Sequence, residues 1–434
     1  MKANKSFSLL AAALMGAVPV CTTAAPAGIE SDSVPSRAII LSGSADNAAA
    51  REHIAMMYSR ENLAFEDPAA PRFLFLDKKG RVALGIGGYV KGVGMYDVNG
   101  AIDDNGFTTY EIPVPFDPAQ RQRFGADFSH STIFLKMVAR ETRLGRVIVY
   151  IQTNFTGGNH GYGLTLKQAY VSVGNFTVGK ARTTFADAPA MAPTVDDQGP
   201  SGQVSAKNML VRYITPSWRG LMGAVSLEVP TADYRTVEGS SRSIAQRFPD
   251  IPAYVQYQWD GGASHVRLSG ILRELSYRDL VAGSNRFATG WGVQFSTVMP
   301  KLIGGLGVFG HYTYGKGIAS YVNDLADRQL DLVPDPDQSG RLRAQAVAGY
   351  TAGLQYQFTP SLLTTASYSR AQVCGGASLG NDSYRYAQYV AVNAFYDVWN
   401  ELRIGVEYLH GTRKDVGGMS GRANRFEAML QYSF

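Results

Sequence analysis

Cysteine is nearly absent: the 434 residues hold two, Cys21 and Cys374. Two cysteines cannot build a zinc site, and a chain that loses Cys21 has no internal disulfide. Charge is scarce too, 18% of residues where soluble domains carry roughly 25%. The six histidines, His53, His130, His160, His265, His311 and His410, show no H-x-x-H or H-E-x-x-H spacing, so zinc hydrolase chemistry has no footing. No clustered basic stripe with stacking aromatics suggests nucleic acid. Beyond the N-terminal segment no stretch approaches the roughly 18 consecutive apolar residues of a spanning helix. A membrane-embedded form of this chain would have to be a closed barrel.

What is abundant fits that alternative: 24 Tyr, 20 Phe and 47 Gly, as in many strands flanked by interfacial aromatic girdles. At the N-terminus, Lys2 and Lys5 precede the apolar run Phe7 to Val20, and small residues Thr23, Ala24 and Ala25 follow. This predicts a signal peptide over 1–25 and a mature chain from Pro26. Val18-Pro19-Val20 before Cys21 is a poor lipidation box. In 26–71, Ser44 can cap a short helix to about Ser59; a periplasmic, trimerising stalk and a plain linker both fit, with barely two heptads of pattern. Residues 73–80 read as a small hairpin or plug element. From 72 to 434 no composition shift or linker divides the chain.

The informative pattern is alternation with period two. At the C-terminal end, Phe426, Ala428, Leu430, Tyr432 and Phe434 share one face while Arg425, Glu427, Gln431 and Ser433 take the other. Leu402, Ile404, Val406 and Tyr408 oppose Arg403 and Glu407 in the same way, as do Val147, Val149 and Ile151 against Arg146, Tyr150 and Gln152. About 16 such segments can be drawn: 83–97, 124–140, 144–155, 164–173, 175–182, 206–214, 221–229, 253–259, 264–275, 288–298, 302–314, 344–358, 361–371, 384–396, 401–412 and 422–434. An even count in this range predicts an all-β transmembrane antiparallel barrel. Tight connections at 172–175 and 358–361 alternate with long ones at 98–123, 230–252 and 315–343, like periplasmic turns and extracellular loops. Phe434, closing an amphipathic strand, is the pattern read by the outer-membrane assembly machinery. A soluble sandwich would alternate equally, with its apolar face buried instead.

The stretch from Gly179 to Gly202 runs through Lys180, Arg182, Pro193-Thr194-Val195-Asp196-Asp197 and Gly199-Pro200-Ser201-Gly202. It resembles the segment after the fifth strand of DcaP-like porins. Ala169-Tyr170-Val171 and the run Gly405 to Gly411 with Arg413 and Lys414 resemble other blocks of that family, and the similarity covers residues 72–434. The resemblance implies a homotrimer of 16-stranded barrels, related in kind to phosphate-selective porins. It also implies an inward-folded loop after strand five that narrows the channel, and uptake of negatively charged or dicarboxylate-like solutes. Ser201 stands where Asn is common, and Ala181 separates Lys180 from Arg182, so the details of the constriction transfer less securely than the fold.

Alternation places Arg146, Lys180, Arg182, Arg212, Arg267, Arg273, Arg403, Arg413 and Arg425 on inward faces, where arginines lower the barrier for anions and pair with carboxylates. Asp196 and Asp197, on the constriction loop, would oppose them. The bland reading is that any strand arginine must face inward, because at the midplane a lipid-facing one costs about 2–4 kcal/mol. Enzymatic readings are weak. His130 and Ser131 alternate to opposite faces, and the Gly-rich run Gly85 to Gly92 is not followed by a helix pattern, so no cofactor or catalytic group is implied. Two functions remain: a passive channel for small polar or anionic solutes, embedded in outer-membrane lipid, and a plugged structural or adhesive barrel.

Overall fold

The computed structural model describes residues 39–42, 54, 57, 71–77, 81–102, 106–142, 145–158, 161–375 and 379–434. The expected signal peptide over 1–25 lies outside these residues, as does most of 26–71; of the helix expected from Ser44, only Ile54 and Met57 are described, both helical.

Sixteen antiparallel strands close on themselves. They are β1 Val82–Asn99, β2 Arg121–Asp127 continued by Thr132–Thr142, β3 Gly145–Gly157, β4 Gly163–Val173, β5 Phe176–Arg182 and β6 Lys207–Ile214. Next come β7 Leu221–Glu228, β8 Ile251–Trp259, β9 Ser264–Asp279, β10 Ser284–Ile303 and β11 Leu306–Lys316. β12 Ala346–Thr359, β13 Leu362–Cys374, β14 Tyr384–Trp399, β15 Leu402–Asp415 and β16 Ser420–Ser433 complete the set. Each pairs with its neighbour in sequence, and β16 pairs with β1, Phe426 lying opposite Tyr96. The C-terminal residue is part of that seam: Phe434 N donates to Gly88 O (2.9 Å) and Gly88 N to Phe434 O (2.8 Å). Below this point β1 pairs instead with Phe73–Leu76, the small hairpin seen in the sequence, which in turn pairs with Ile39–Ser42.

Every segment drawn from alternation corresponds to one strand. Two were drawn inaccurately. β2 is interrupted at 128–131, where Asp127 accepts hydrogen bonds from Ser129 N (3.1 Å) and Oγ (2.8 Å) in a local turn. β10 runs on to Ile303 because Pro300, which reads as a strand breaker, sits in a bulge between Met299 and Ile303; the turn then falls at 304–305, where Gly304 supplies a positive φ of 57°.

Which face is apolar separates a membrane barrel from a sandwich. Met209, Val211, Leu227, Val255, Leu268, Leu272, Phe295 and Leu430 are all exposed, whereas Arg212, Arg267, Arg273 and Arg425 on the opposite parity are buried. The apolar side therefore faces outward and the polar side lines the interior. Short turns lie at one rim; at the other, the long loops L3 (183–206), L4 (229–250) and L6 (317–345) and the described part of L1 (106–120) bury side chains against the inner wall and each other.

Candidate functional site

L3 leaves β5 and returns to β6 through a closed neck, Thr183 N donating to Ala206 O (3.1 Å). Between these ends it is pinned to the inner wall strand by strand. Glu228 of β7 accepts from Thr184 N (2.8 Å). Asp187 meets His265 of β9 (2.9 Å), Arg267 (3.3 Å) and the Ser296 hydroxyl of β10. Burial alone would raise the Asp187 pKa, but the Arg267 charge and the His265 and Ser296 hydrogen bonds outweigh it and hold the carboxyl well below the usual range. Ala190 and Ala192 pack on Val298 and Phe309. Further round, Pro193 O accepts from Thr365 (2.8 Å) and Asn393 (3.0 Å), and the Glu407 carboxylate of β15 accepts from Val195 N (3.1 Å) and Asp196 N (2.8 Å). Lys91 of β1 reaches Asp197 (2.7 Å) and Val195 O (2.8 Å). The returning arm crosses β12 so closely that a side chain on Gly349 would strike the Gly202 backbone, and one on Gly202 would strike the Tyr350 and Arg370 backbone.

The other loops brace L3. Phe185, Ala186 and Val204 form a buried core with Ile318, Tyr321 and Val322 of L6. Asn323 N donates to Gln203 O (2.8 Å), and Thr109 of L1 donates to Asp324 of L6 (2.7 Å).

The inward-facing residues expected from the sequence divide into separate groups. Arg267 and Arg273 are fully buried under the loops and act as struts. Arg273 pairs with Asp250 (3.0 Å) and Asp331 (3.2 Å) and donates to Thr231 O (2.7 Å), while Arg267 also binds Gln256 (2.8 Å) and Ala186 O (3.0 Å). Arg425 likewise clamps Asp97 (2.6 Å) and Ile102 O (3.2 Å), and Arg413 donates to Tyr110 O in L1. Arg403 forms a two-pronged pair with Asp397 (2.6 and 2.9 Å) beside the 400–401 turn. Asp196 is buried and accepts from Phe107 N (3.0 Å), Gln198 N (3.1 Å), Gly199 N (3.1 Å) and Tyr389 (3.0 Å), so it shapes the loop; its neighbour Asp197 is the exposed acid. Lys180 sits opposite Ala169 and Met209, on the outward face with Val178, and donates to Leu166 O (3.0 Å). It was expected to point inward; Arg182 shares its parity, opposite Lys207. Arg146 and Arg212 do come together, lining one cavity near the 174–175 turn with Tyr170, Ser172, Thr177 and Gln258.

Sequence reasoning missed the lysines of the wall facing L3. Lys91 and Lys136 have inward parity on β1 and β2, and Lys136 donates to Met57 O (3.0 Å). Lys167 occupies a bulge, Gln168 pairing with Gln152 and Leu166 with Thr153, which no local pattern shows. His130 Nδ1 lies 3.9 Å from Asp197. The anchors of L3 named above lie on β1, β7 and β9–β15 and not on β2–β4. Among the described side chains of 132–173 on that uncovered side, Lys136, Arg146 and Lys167 are cationic and none is acidic.

The barrel has solved counterparts. The crystal structure of the outer membrane channel DcaP of Acinetobacter baumannii aligns with a TM-score of 0.72 at 20% identity, covering 83% of this chain and 99% of that one. Salmonella typhi OmpF in complex with daunomycin gives 0.53 at 11% identity over 82% and 98% of the two chains. A loop-L8 deletion mutant of Vibrio cholerae OmpT gives 0.50 at 12% identity over 82% and 100%. At these identities the likeness is one of fold. Among curated protein sequences there is no significant match. The family described as DcaP outer membrane protein matches residues 81–323, more than half of the 434; the chain belongs to that family and is an outer-membrane channel of the porin type.

Proposed function

We propose that this channel passes small polar and anionic, carboxylate-like solutes by diffusion, with no catalytic step. The observation that carries this reading is the charge of the wall L3 leaves uncovered, where the described side chains of 132–173 include the cations Lys136, Arg146 and Lys167 and no acid. In a narrow pore such a wall lowers the barrier for anions. Lys167, Arg146 and Arg212 are the cations we assign to solute; Arg267 and Arg273 hold the loops instead, as Lys91 holds L3 and Lys136 the Met57 carbonyl. Among the earlier candidates, Asp197 would set the opposing field across the constriction, with Lys91 as its partner.

A homotrimer belongs to the same reading. β5, β6 and β7 have only 7, 8 and 8 residues, where a tilted spanning strand takes about 9–11. A neighbouring subunit covering this low wall would also shelter the outward Lys180. The alternative, a plugged structural or adhesive barrel, draws support from the dense core that L3 and L6 share. The reversal potential of purified protein in a planar bilayer under a salt gradient decides between them. Anion selectivity that falls in Arg146→Gln and Lys167→Gln supports the proposal; cation selectivity removes the basic-wall reading, and absence of conductance favours the plugged barrel.

A further inference from the structure

The outward face at the β16–β1 seam is not uniformly bulky. In cross-strand register, Ala394, Val406, Ala428, Gly94 and Ala126 form one row across β14, β15, β16, β1 and β2. The next row towards the loops is Val392, Tyr408, Phe426, Tyr96 and Phe124. Small side chains below large ones make an apolar furrow, which a pocket bounded by Gly94, Tyr96, Phe124, Val406, Phe426 and Ala428 occupies. The barrel itself does not need the space: a Cβ on Gly94 would meet nothing within 4 Å.

Above the aromatic row the outward side chains turn polar, then cationic. His410 and Tyr408 both bond Asn424 (2.8 and 2.7 Å), which donates to Asn99 (2.7 Å). One row higher, Arg370, Gln388, Thr412 and Arg422 lie in register, with Lys414 two residues beyond Thr412. Among the described residues none of Arg370, Arg422 and Lys414 is ion-paired with a carboxylate. Three strand spacings separate the two arginines, about 14 Å. Height is consistent with a headgroup position. Ten residues separate Tyr432 from Arg422 along β16, which at about 3.4 Å each and a tilt of about 40° is about 26 Å, the height of the apolar band.

We infer that this face seats one outer-leaflet lipid with two separated phosphates on a sugar-sized headgroup, its phosphates on Arg370 and Arg422 with Lys414 and an acyl chain in the furrow. The wall favours lipid over a second copy: β13 to β16 and β1 have 13, 16, 14, 14 and 18 residues, tall enough to face hydrocarbon throughout, unlike β5–β7. The cationic row has the charge complementary to a phosphate.

The test is native mass spectrometry of the detergent-solubilised protein titrated with bisphosphoryl or monophosphoryl lipid A. The bisphosphoryl form should bind more tightly. Replacing Arg370→Gln and Arg422→Gln should weaken it by about fivefold for each cation removed and abolish the preference. Ala428→Phe, which fills the furrow from outside, should weaken both forms, with heat-modifiable gel mobility verifying the fold. Equal binding of the two lipids by wild type, or unchanged binding by the arginine variants, overturns the inference. So does a disulfide between subunits formed by Ala428→Cys, which would assign the furrow to a second copy.

Discussion

Arg273 faces the lumen by parity, and its surroundings show whether it acts on solute or on the loops. In Arg273→Met the side chain keeps its bulk but leaves Asp250 and Asp331, both fully buried, without their cation. Gly317 O and Thr231 O lose a donor as well. Removing one partner of a buried ion pair costs roughly 3–5 kcal/mol, because the remaining charge is stranded. Most of that loss should fall on the attachment of L4 and L6, raising their opening equilibrium about a thousandfold for 4 kcal/mol. Trypsin reports this directly, since Arg235 and Arg242 lie in L4 and Arg328 and Arg341 in L6. Cleavage of folded protein at these sites should accelerate strongly in Arg273→Met. Adding Asp250→Asn and Asp331→Asn should restore much of the protection by removing the stranded charges. If cleavage stays at the wild-type rate and the reversal potential moves towards cation selectivity, Arg273 is a pore residue and the strut reasoning fails.

Other outcomes follow from the same contacts. Leu430→Arg places a guanidinium on the lipid face, costing about 2–4 kcal/mol near the midplane, whereas Gln431→Arg points inward; comparable folded yields in heat-modifiability gels would reverse the assignment of faces. Glu407→Leu removes the acceptor of two L3 amides and of Asn393 Nδ2 (2.7 Å), a loss of roughly 1–3 kcal/mol for each unmet donor. Single-channel records should then be noisier, with added conductance levels, and a trace identical to wild type would count against L3 pinning. The Asp324 carboxyl is pushed up from its ordinary 3.8 to about 6, chiefly by burial. Its contribution to the L1–L6 contact is therefore full below about pH 4 and is lost as pH rises through about 6, by about 3 kcal/mol. Hydrogen exchange of the 321–325 amides, corrected for intrinsic rate, should show protection declining over that window in wild type and flat in Asp324→Asn.

The strands were legible because alternation is local. Phe426, Ala428 and Leu430 declare one face of β16 whatever they pair with, and Gly174-Asn175 declares its own turn. The inward parity of Arg267 and Arg273 was equally readable, but their partners were not: Asp187 lies on L3, 80 positions before Arg267, and Asp331 lies on L6. Such separations meet only when the barrel closes and the loops fold into it. Lys180 shows the reverse failure, a cation assigned inward by expectation that the register with Met209 turns outward.

The sequence by itself determined about sixteen alternating strands with one apolar and one polar face, because period-two patterning is local; that the apolar face is the outer one, and the sheet a closed barrel, was read from the structure. Only the tertiary structure decided which inward cations hold loops, because a charge's role depends on the carboxylates closure brings within reach of it.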